Sequence, residues 1–406
     1  MRLLDLADPL AVWLYAERYL GVGTRGYSPY AADACVSERY HPQRGAGVVP
    51  IPTVWVPDGR GAFLGNGLRS SLHALYRRPG GFLLPVHPDT LASPDLPGLD
   101  DLRACEPGPP LQVSPTANTR TVLVRQIGDA AVEPHFVKLH FPQRLSRFTR
   151  RLRRPIIEVQ LWVADELARI GVPFLPEVGG GVFGADPDEA WGFLLRECAP
   201  RGAAGPPFTV PLFALYGGDY HRPDEPSLLE QLILASGEPP ADFVAHRIIE
   251  PMVRLWFAMA LGAGCCAEMH GQNTLFQFVP DGSHTRIVYR DCGIYIDPVV
   301  RAQRRLTRRL PRVNVISVDI AVPRRQVWSL VYDSFLGHHV LTRMAALLSE
   351  RFDVDADTLQ CAARRCFASH AGQASLLPET VHYYDNAVLD AGNWRLIDTG
   401  RPPLWR

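Results

Sequence analysis

The chain has almost no lysine. Among its 406 residues 42 are Lys or Arg, and all but Lys138 are arginine. A bias this complete acts on the whole sequence, with arginine standing wherever a surface cation suffices. Some sites refuse the exchange, because an ammonium is a compact point charge on a flexible stem and a guanidinium is a planar fork. Lys138, in "HFVKLHF" (135–141), is therefore a candidate for chemistry or ligand contact. The alternative is a chance leftover on a solvated strand.

Other absences narrow the classes further. No run approaches the ~18 apolar residues of a membrane span. The start, "MRLLDLADPLAVWLYAERYL", is acidic and amphipathic, unlike a signal peptide. The eight cysteines form no C-x-x-C and no pair at zinc-ligand spacing. A cytoplasmic protein with reduced thiols is expected. A net charge of +0 argues against a general nucleic-acid or membrane-surface binder. A Walker A loop needs Gly-Lys, yet Lys138 follows Val137. There is no G-x-S-x-G and no H-E-x-x-H. "GVGTRG" (21–26) matches a dinucleotide fingerprint, but "AVWLYAERYL" before it has helical spacing, so a glycine-rich helix exit is expected.

Two proline- and glycine-rich joints, 87–110 and 199–207, divide the chain into portions 1–110, 111–205 and 206–406. In the middle portion "TRTVLVRQI", a Gly128-Asp129 turn and "HFVKLHF" read as paired strands. From Gln143, the spacing of Leu145, Phe148 and Leu152 predicts a helix, with Ser146 and Arg150 sharing one flank. Pro155 ends that run, and "IIEVQLWVADELARIG" is a second helix closed by Gly171. The last portion reads as helices, one kinked or split at Pro251, followed by the polar stretch "CCAEMHGQN". A hairpin follows, "TLFQFV" and "RIVYRD" around Asp281-Gly282, and then a mostly helical tail. The arginine runs at 144–155 and 301–312 are expected to be solvated helix faces. His338-His339 reads as a surface or core pair rather than a metal site.

The residues that carry chemistry gather in two places. Glu268, His270, Gln272 and Asn273 sit in "EMHGQN", and Asp291 returns across the hairpin. Two carboxylates and a carboxamide are the hard oxygen donors that Mg²⁺ takes beside phosphate oxygens. A capped helix end with a satisfied histidine is the plainer reading of this stretch. Arg120, Thr121, Lys138 and Arg150 supply the cations and hydroxyl that a triphosphate and a polycarboxylate need.

"HGQN" after a helix, with a hairpin ending in "RD", resembles the signature of the IucA/IucC family, the NRPS-independent siderophore synthetases. "LPVHP" (84–88), "PTANTRT" (115–121), "KLHFPQRLSRFTR" (138–150) and Arg196-Glu197 resemble its further motifs, in the same order. The resemblance implies an α+β, multi-subdomain cupped-hand fold of thumb, fingers and palm with a mostly helical C-terminal part, in a homodimer. It implies an ATP- and Mg²⁺-dependent ligase of siderophore or related biosynthesis. Such an enzyme adenylates a citrate-like carboxylate and condenses it with an amine or hydroxyl, releasing AMP and pyrophosphate. Thr119, Arg120, Thr121, Lys138, Gln272 and Asn273 would bind ATP. Ser146, Arg150 and His270 would take the substrate carboxylates, with Lys138, Arg150 and His270 catalytic. Glu268, Asn273 and Asp291 would hold the metal. The chain departs from the pattern at Ala117-Asn118, where the family has Ser-Ser, at Asp89-Thr90, where it has Trp-Gln, and in a shorter segment before "LPVHP".

Two other readings remain open. His270-x-x-Asn273 with a later Asp291 also resembles a kinase-like phosphotransferase, although no aspartate base lies near His270. A non-catalytic relative that binds nucleotide or carboxylate is the other.

Overall fold

The strands of the first half of the chain pair into one antiparallel sheet, several of them buried along all or nearly all of their length. The computed structural model describes residues 1–21, 36–94, 96–145, 148–201, 205–370, 377–385 and 395–406. A helix, Pro9–Tyr19, precedes β1 (Val49–Pro57), β2 (Gly61–Gly65), β3 (Arg77–Arg78) and β4 (Gly81–Pro85). Next come β5 (Glu106–Pro115), β6 (Thr121–Ile127) and β7 (Ala130–Leu139), and then β8 (Phe141–Leu145) and β9 (Phe148–Arg150). β10 (Glu177–Phe183) and β11 (Trp191–Glu197) follow the helix Arg154–Arg169. Nine of these strands form one sheet in the order β2-β10-β11-β7-β6-β5-β1-β4-β3. β1 pairs directly with β5, so the sheet runs across the joint at 87–110. The "GVGTRG" stretch beyond Gly21 lies outside the described residues.

The expected β6–β7 hairpin forms, and Gly128 takes the left-handed φ of 59° that its turn requires. The helix expected from Gln143 does not form. β8 and β9 make a two-stranded hairpin instead, with Phe141 opposite Arg150 and Leu145 opposite Phe148. Tertiary hydrogen bonds override the helical spacing here. Leu152 N–H donates to His140 Nδ1 at 3.0 Å, and its carbonyl accepts from Gly192 N–H at 3.0 Å, holding the exit extended against β11. Arg150 therefore lies at the end of β9, and Ser146 lies outside the described residues. Pro155 starts a helix rather than ending one, because its missing N–H costs nothing in the first turn. Gly171, with φ of 69°, follows the end of that helix.

Helix Arg154–Arg169 lays Ile157 and Leu161 against Val182, Ala190 and Leu194 of the sheet. Its outer side carries Asp165 and Glu166, which bind Arg308 and Arg301 at 2.7 Å each. The run at 301–312 is thus not a solvated helix face: the helix Pro298–Gln303 ends early and Arg301 is buried.

The second half packs helices around a three-stranded sheet of β12 (Phe208–Pro211), β14 (Thr274–Phe278) and β15 (Thr285–Tyr289), while β13 (Cys265–Cys266) pairs separately with β16 (Tyr295–Ile296). The β14–β15 hairpin turns at Asp281-Gly282 as expected. Before Pro251, helix Pro240–Val244 widens into a π-turn, Ala245–Ile249, and resumes as Glu250–Gly262. That wider turn accommodates the absent N–H without a break. A longer π-helix, Leu330–Leu341, lies between helices Arg324–Ser329 and Thr342–Phe352. No helix among the described residues is long and apolar enough to cross a membrane.

Gly179, Gly180 and Gly181 let β10 lie close to β11: a Cβ on Gly180 would overlap the Phe193 carbonyl oxygen. Gly180→Val is expected to lower stability by about 3 kcal/mol, read as a lower urea midpoint with an unchanged slope.

Candidate active site

Strand register collects the polar groups. Thr121 faces Lys138 across β6–β7, Lys138 faces Leu194 across β7–β11, and Arg196 faces Glu177 across β10–β11. Because side chains alternate along a strand, Thr121, Lys138, Arg196 and Glu177 project from one face of the sheet. The chain after β15 closes over this face. Leu175 N–H donates to the Tyr289 carbonyl at 2.8 Å, and Tyr289 N–H donates to the Pro173 carbonyl at 3.0 Å. That clamp delivers Asp291 to the strands.

Lys138 Nζ donates to Asp291 Oδ1 at 2.7 Å, to Asp291 Oδ2 at 2.9 Å and to Gln160 Oε1 at 2.7 Å. Arg196 binds Glu177 Oε1 at 2.5 Å and lies 3.8 Å from Asp291. Glu177 also accepts from the Cys292 N–H at 3.2 Å. Arg290 binds Glu17 of the first helix, and its Nε donates to the Gln272 carbonyl at 2.7 Å. Asp291 thus meets both Lys138 and Arg196, Arg196 is shared with Glu177, and Glu17 is bound by Arg290. Arg120 adds a fourth cation, acting on both Lys138 and Asp291. Burial works against ionisation of Asp291, but Lys138, Arg196 and Arg120 hold its carboxyl well below the usual carboxylate range. Burial pulls the Lys138 ammonium below its ordinary value, with Asp291 and Glu177 opposing.

Thr116, Asn118, Thr121, Arg196, Gln272, Asn273, Arg290 and Asp291 line one cleft at this junction. The turn entering β6 is tight: Thr116 Oγ1 donates to the Thr121 carbonyl at 2.6 Å, and Thr119 sits at φ of 53°. Asp291 has φ of 79°. A β-branched residue at positive φ is strained, and such strain collects where a fold holds groups for function. Arg196, one of the residues lining this cleft, keeps its Nε buried without a hydrogen-bond partner.

Of the residues singled out in the sequence, Thr121, Gln272, Asn273 and Asp291 line the cleft, Lys138 binds Asp291, Arg120 acts on both, and Thr119 sits in the turn entering β6. His270 is buried in the same turn, where its Nδ1 accepts from the Gln272 N–H at 3.2 Å. A neutral ring then carries its proton on Nε2, which makes that atom a donor. Glu268 is engaged by the Tyr295 phenol, which lies 3.1 Å from the Tyr384 phenol. Ser146 and the side chain of Arg150 lie outside the described residues. His87 of "LPVHP" caps a short helix by accepting from the Asp89 N–H at 3.1 Å, and burial pushes its imidazole down to about 4.

Sequence reasoning gave no role to Gln160, Glu177 or Arg290. Gln160 had a signal, as a polar side chain on the buried stripe of helix Arg154–Arg169. His339, read only as half of a surface or core pair, is buried in the π-helix near His270, and Phe335 packs on the His270 ring at 5.6 Å.

The donor set also allows a fit test for Mg²⁺. Asp291 and Asn273 line the cleft, whereas Glu268 is not among its lining residues. Among the described residues no group of three or more His, Cys, Asp or Glu is placed to hold a metal by itself. One carboxylate and one carboxamide fit an ion that completes its shell with phosphate oxygens and water.

Glu177→Ala is expected to lower stability by about 3–5 kcal/mol, because it strands Arg196 in the interior. Urea denaturation of Glu177→Ala and of the Glu177→Ala/Arg196→Met pair checks this, and the double variant should recover part of the loss.

Comparison with known proteins places this architecture. Residues 244–402 match a family described as ferric iron reductase FhuF-like transporter. No curated protein matches the sequence. ATP-bound aerobactin synthetase IucA from a hypervirulent pathotype of Klebsiella pneumoniae superposes with a TM-score of 0.70 at 18% identity, over 98% of this chain and 79% of that one. IucC from the same pathotype gives 0.64 at 16% identity, over 99% and 77%. The petrobactin biosynthesis protein AsbB from Bacillus anthracis str. Sterne gives 0.65 at 14% identity, over 97% and 75%. The chain has the α+β fold of the aerobactin synthetases IucA and IucC.

Proposed function

We propose that the protein is an ATP-dependent ligase that adenylates a carboxylate and condenses it with an amine or hydroxyl, in siderophore or related biosynthesis. The observation that carries this reading is the convergence of Arg120, Lys138, Arg196 and Arg290 with Asn273 and Asp291 at one junction. Hydroxyl-bearing Thr116 and Thr121 line the same cleft as Arg196. Cations interleaved with oxygen donors suit a metal-bound polyphosphate. The fold shared with an ATP-bound synthetase supports the choice of nucleotide.

In the first half-reaction a substrate carboxylate oxygen attacks the α-phosphorus of ATP. The α–β bridging P–O bond breaks, giving an acyl adenylate and pyrophosphate. Lys138 and Arg120 neutralise charge on the α-phosphate and on the departing pyrophosphate, while Arg196 and the Thr121 hydroxyl hold the phosphate chain. Gln272 supports the nucleotide. Asp291 and Asn273, with Glu268 as the further carboxylate, would hold Mg²⁺, which would supply charge neutralisation of the phosphates. His270 Nε2 donates to the substrate carboxylate, with Ser146 and Arg150 as further carboxylate contacts. In the second half-reaction the amine or hydroxyl attacks the acyl carbon, the acyl–phosphate bond breaks, and AMP leaves. No covalent enzyme intermediate is required, so positioning and charge stabilisation carry the catalysis.

Pyrophosphate release from ATP·Mg²⁺ should depend on one acid from a panel of citrate, succinate, 2-oxoglutarate and amino acids, with hydroxylamine as trap. Lys138→Arg should lower the rate ~100-fold, or about 3 kcal/mol. ADP instead of pyrophosphate would mark a phosphotransferase, and tight ATP·Mg²⁺ binding without turnover would mark a binding protein.

A further inference from the structure

We infer that Lys138 is caged in the ligand-free protein by Asp291 and Gln160, and that it turns to phosphate only when a divalent cation takes its place on Asp291. This rests on the nucleotide reading above and adds a rule for how that site fills.

An ammonium has three donors. Nζ meets three acceptor oxygens, Gln160 Oε1 and the two oxygens of Asp291, at 2.7, 2.7 and 2.9 Å. The carboxylate oxygens lie too close together to take separate N–H bonds and share one, and together the three oxygens cover the ammonium. The Lys138 side chain is only 3% exposed, so solvent does not stand in for a lost partner. A phosphate oxygen therefore reaches Lys138 only by displacing an acceptor already in place.

The two acceptors differ in how they can yield. Gln160 is buried and tied to its own helix, with Nε2 donating to the Ile156 carbonyl at 3.1 Å. Asp291 is held from behind, where Gly293 N–H donates to Oδ1 at 3.2 Å and Arg196 lies 3.8 Å from Oδ2. The carboxylate thus keeps its place without Lys138, and the lysine stem is the part able to swing. Parting the pair with nothing to replace it would leave the Lys138 ammonium in the interior without its closest counter-charge, and Asp291 with only the more distant Arg196. A cation on Asp291 together with phosphate on Lys138 satisfies both at once. Each ligand alone meets a closed ion pair, whereas both together exchange partners with it. The two affinities are then coupled, by the same factor in either direction.

Two variants open the cage from opposite sides. Lys138→Met removes the competing cation and keeps an unbranched stem, while Asp291→Asn removes the charge that holds the lysine. In nucleotide-free full-length protein, Mn²⁺ binding followed by the free-ion electron paramagnetic resonance signal should be about tenfold tighter in Lys138→Met than in wild type. In EDTA, ATP binding by calorimetry should be about tenfold tighter in Asp291→Asn than in wild type. Unchanged or weaker binding in both variants overturns the cage. If circular dichroism shows that one variant does not fold, the other alone decides. Wild-type protein that binds neither ATP nor ATP·Mn²⁺ overturns the nucleotide reading and the cage together. Wild-type binding without the variant gains overturns the cage alone.

Discussion

The Lys138–Asp291 ion pair spans 153 residues of sequence and joins the sheet to the helical half of the molecule. Neither side would tolerate this polar junction alone. On the sheet, Lys138 and Arg196 are charges under a helix, and beyond β15 Asp291 is a carboxylate in a turn of positive φ. Buried charge is stable only when paired and hydrogen-bonded, so the pairing dictates how closely the halves approach. Arg290–Glu17 repeats the arrangement on the first helix, and Arg301–Glu166 repeats it on the far side of helix Arg154–Arg169.

Those outer pairs use arginine, whose fork binds a carboxylate and a carbonyl together. Arg290 takes Glu17 and the Gln272 carbonyl, and Arg301 takes Glu166 and the Ala263 carbonyl. They act as permanent staples. Lys138 differs in geometry, since a point charge can be shared among a carboxamide and two carboxylate oxygens, and a flexible stem can leave them. The near-absence of lysine thus marks the one cation at the junction suited to changing partners.

Much of this was legible in the sequence because local rules and tertiary packing agree. The β6–β7 and β14–β15 hairpins follow from β-rich runs around Gly128 and Gly282, and the "HGQN" turn with Asp291 follows from the second hairpin. The reading failed where tertiary hydrogen bonds outweighed periodicity. Leu145, Phe148 and Leu152 have helical spacing, yet His140 and Gly192 capture Leu152 in an extended segment. Gln160 and Glu177 escaped notice for a related reason: nothing nearby in sequence announces a partner that arrives from another strand or from the loop after β15.

The π-helix Leu330–Leu341 packs beside His270, with Phe335 on the His270 ring and His339 on Tyr383 at 5.5 Å. Its bonds run from i to i+5, so it carries more residues per turn than an α-helix. Loss of one residue would rewind part of it and rotate the following side chains by about 100°, the α-helical step per residue. Which groups face His270 is therefore a property of segment length as well as of residue identity. Insertions and deletions in this helix, without any substitution in "HGQN", are a route by which chains of this fold can change what packs beside that histidine.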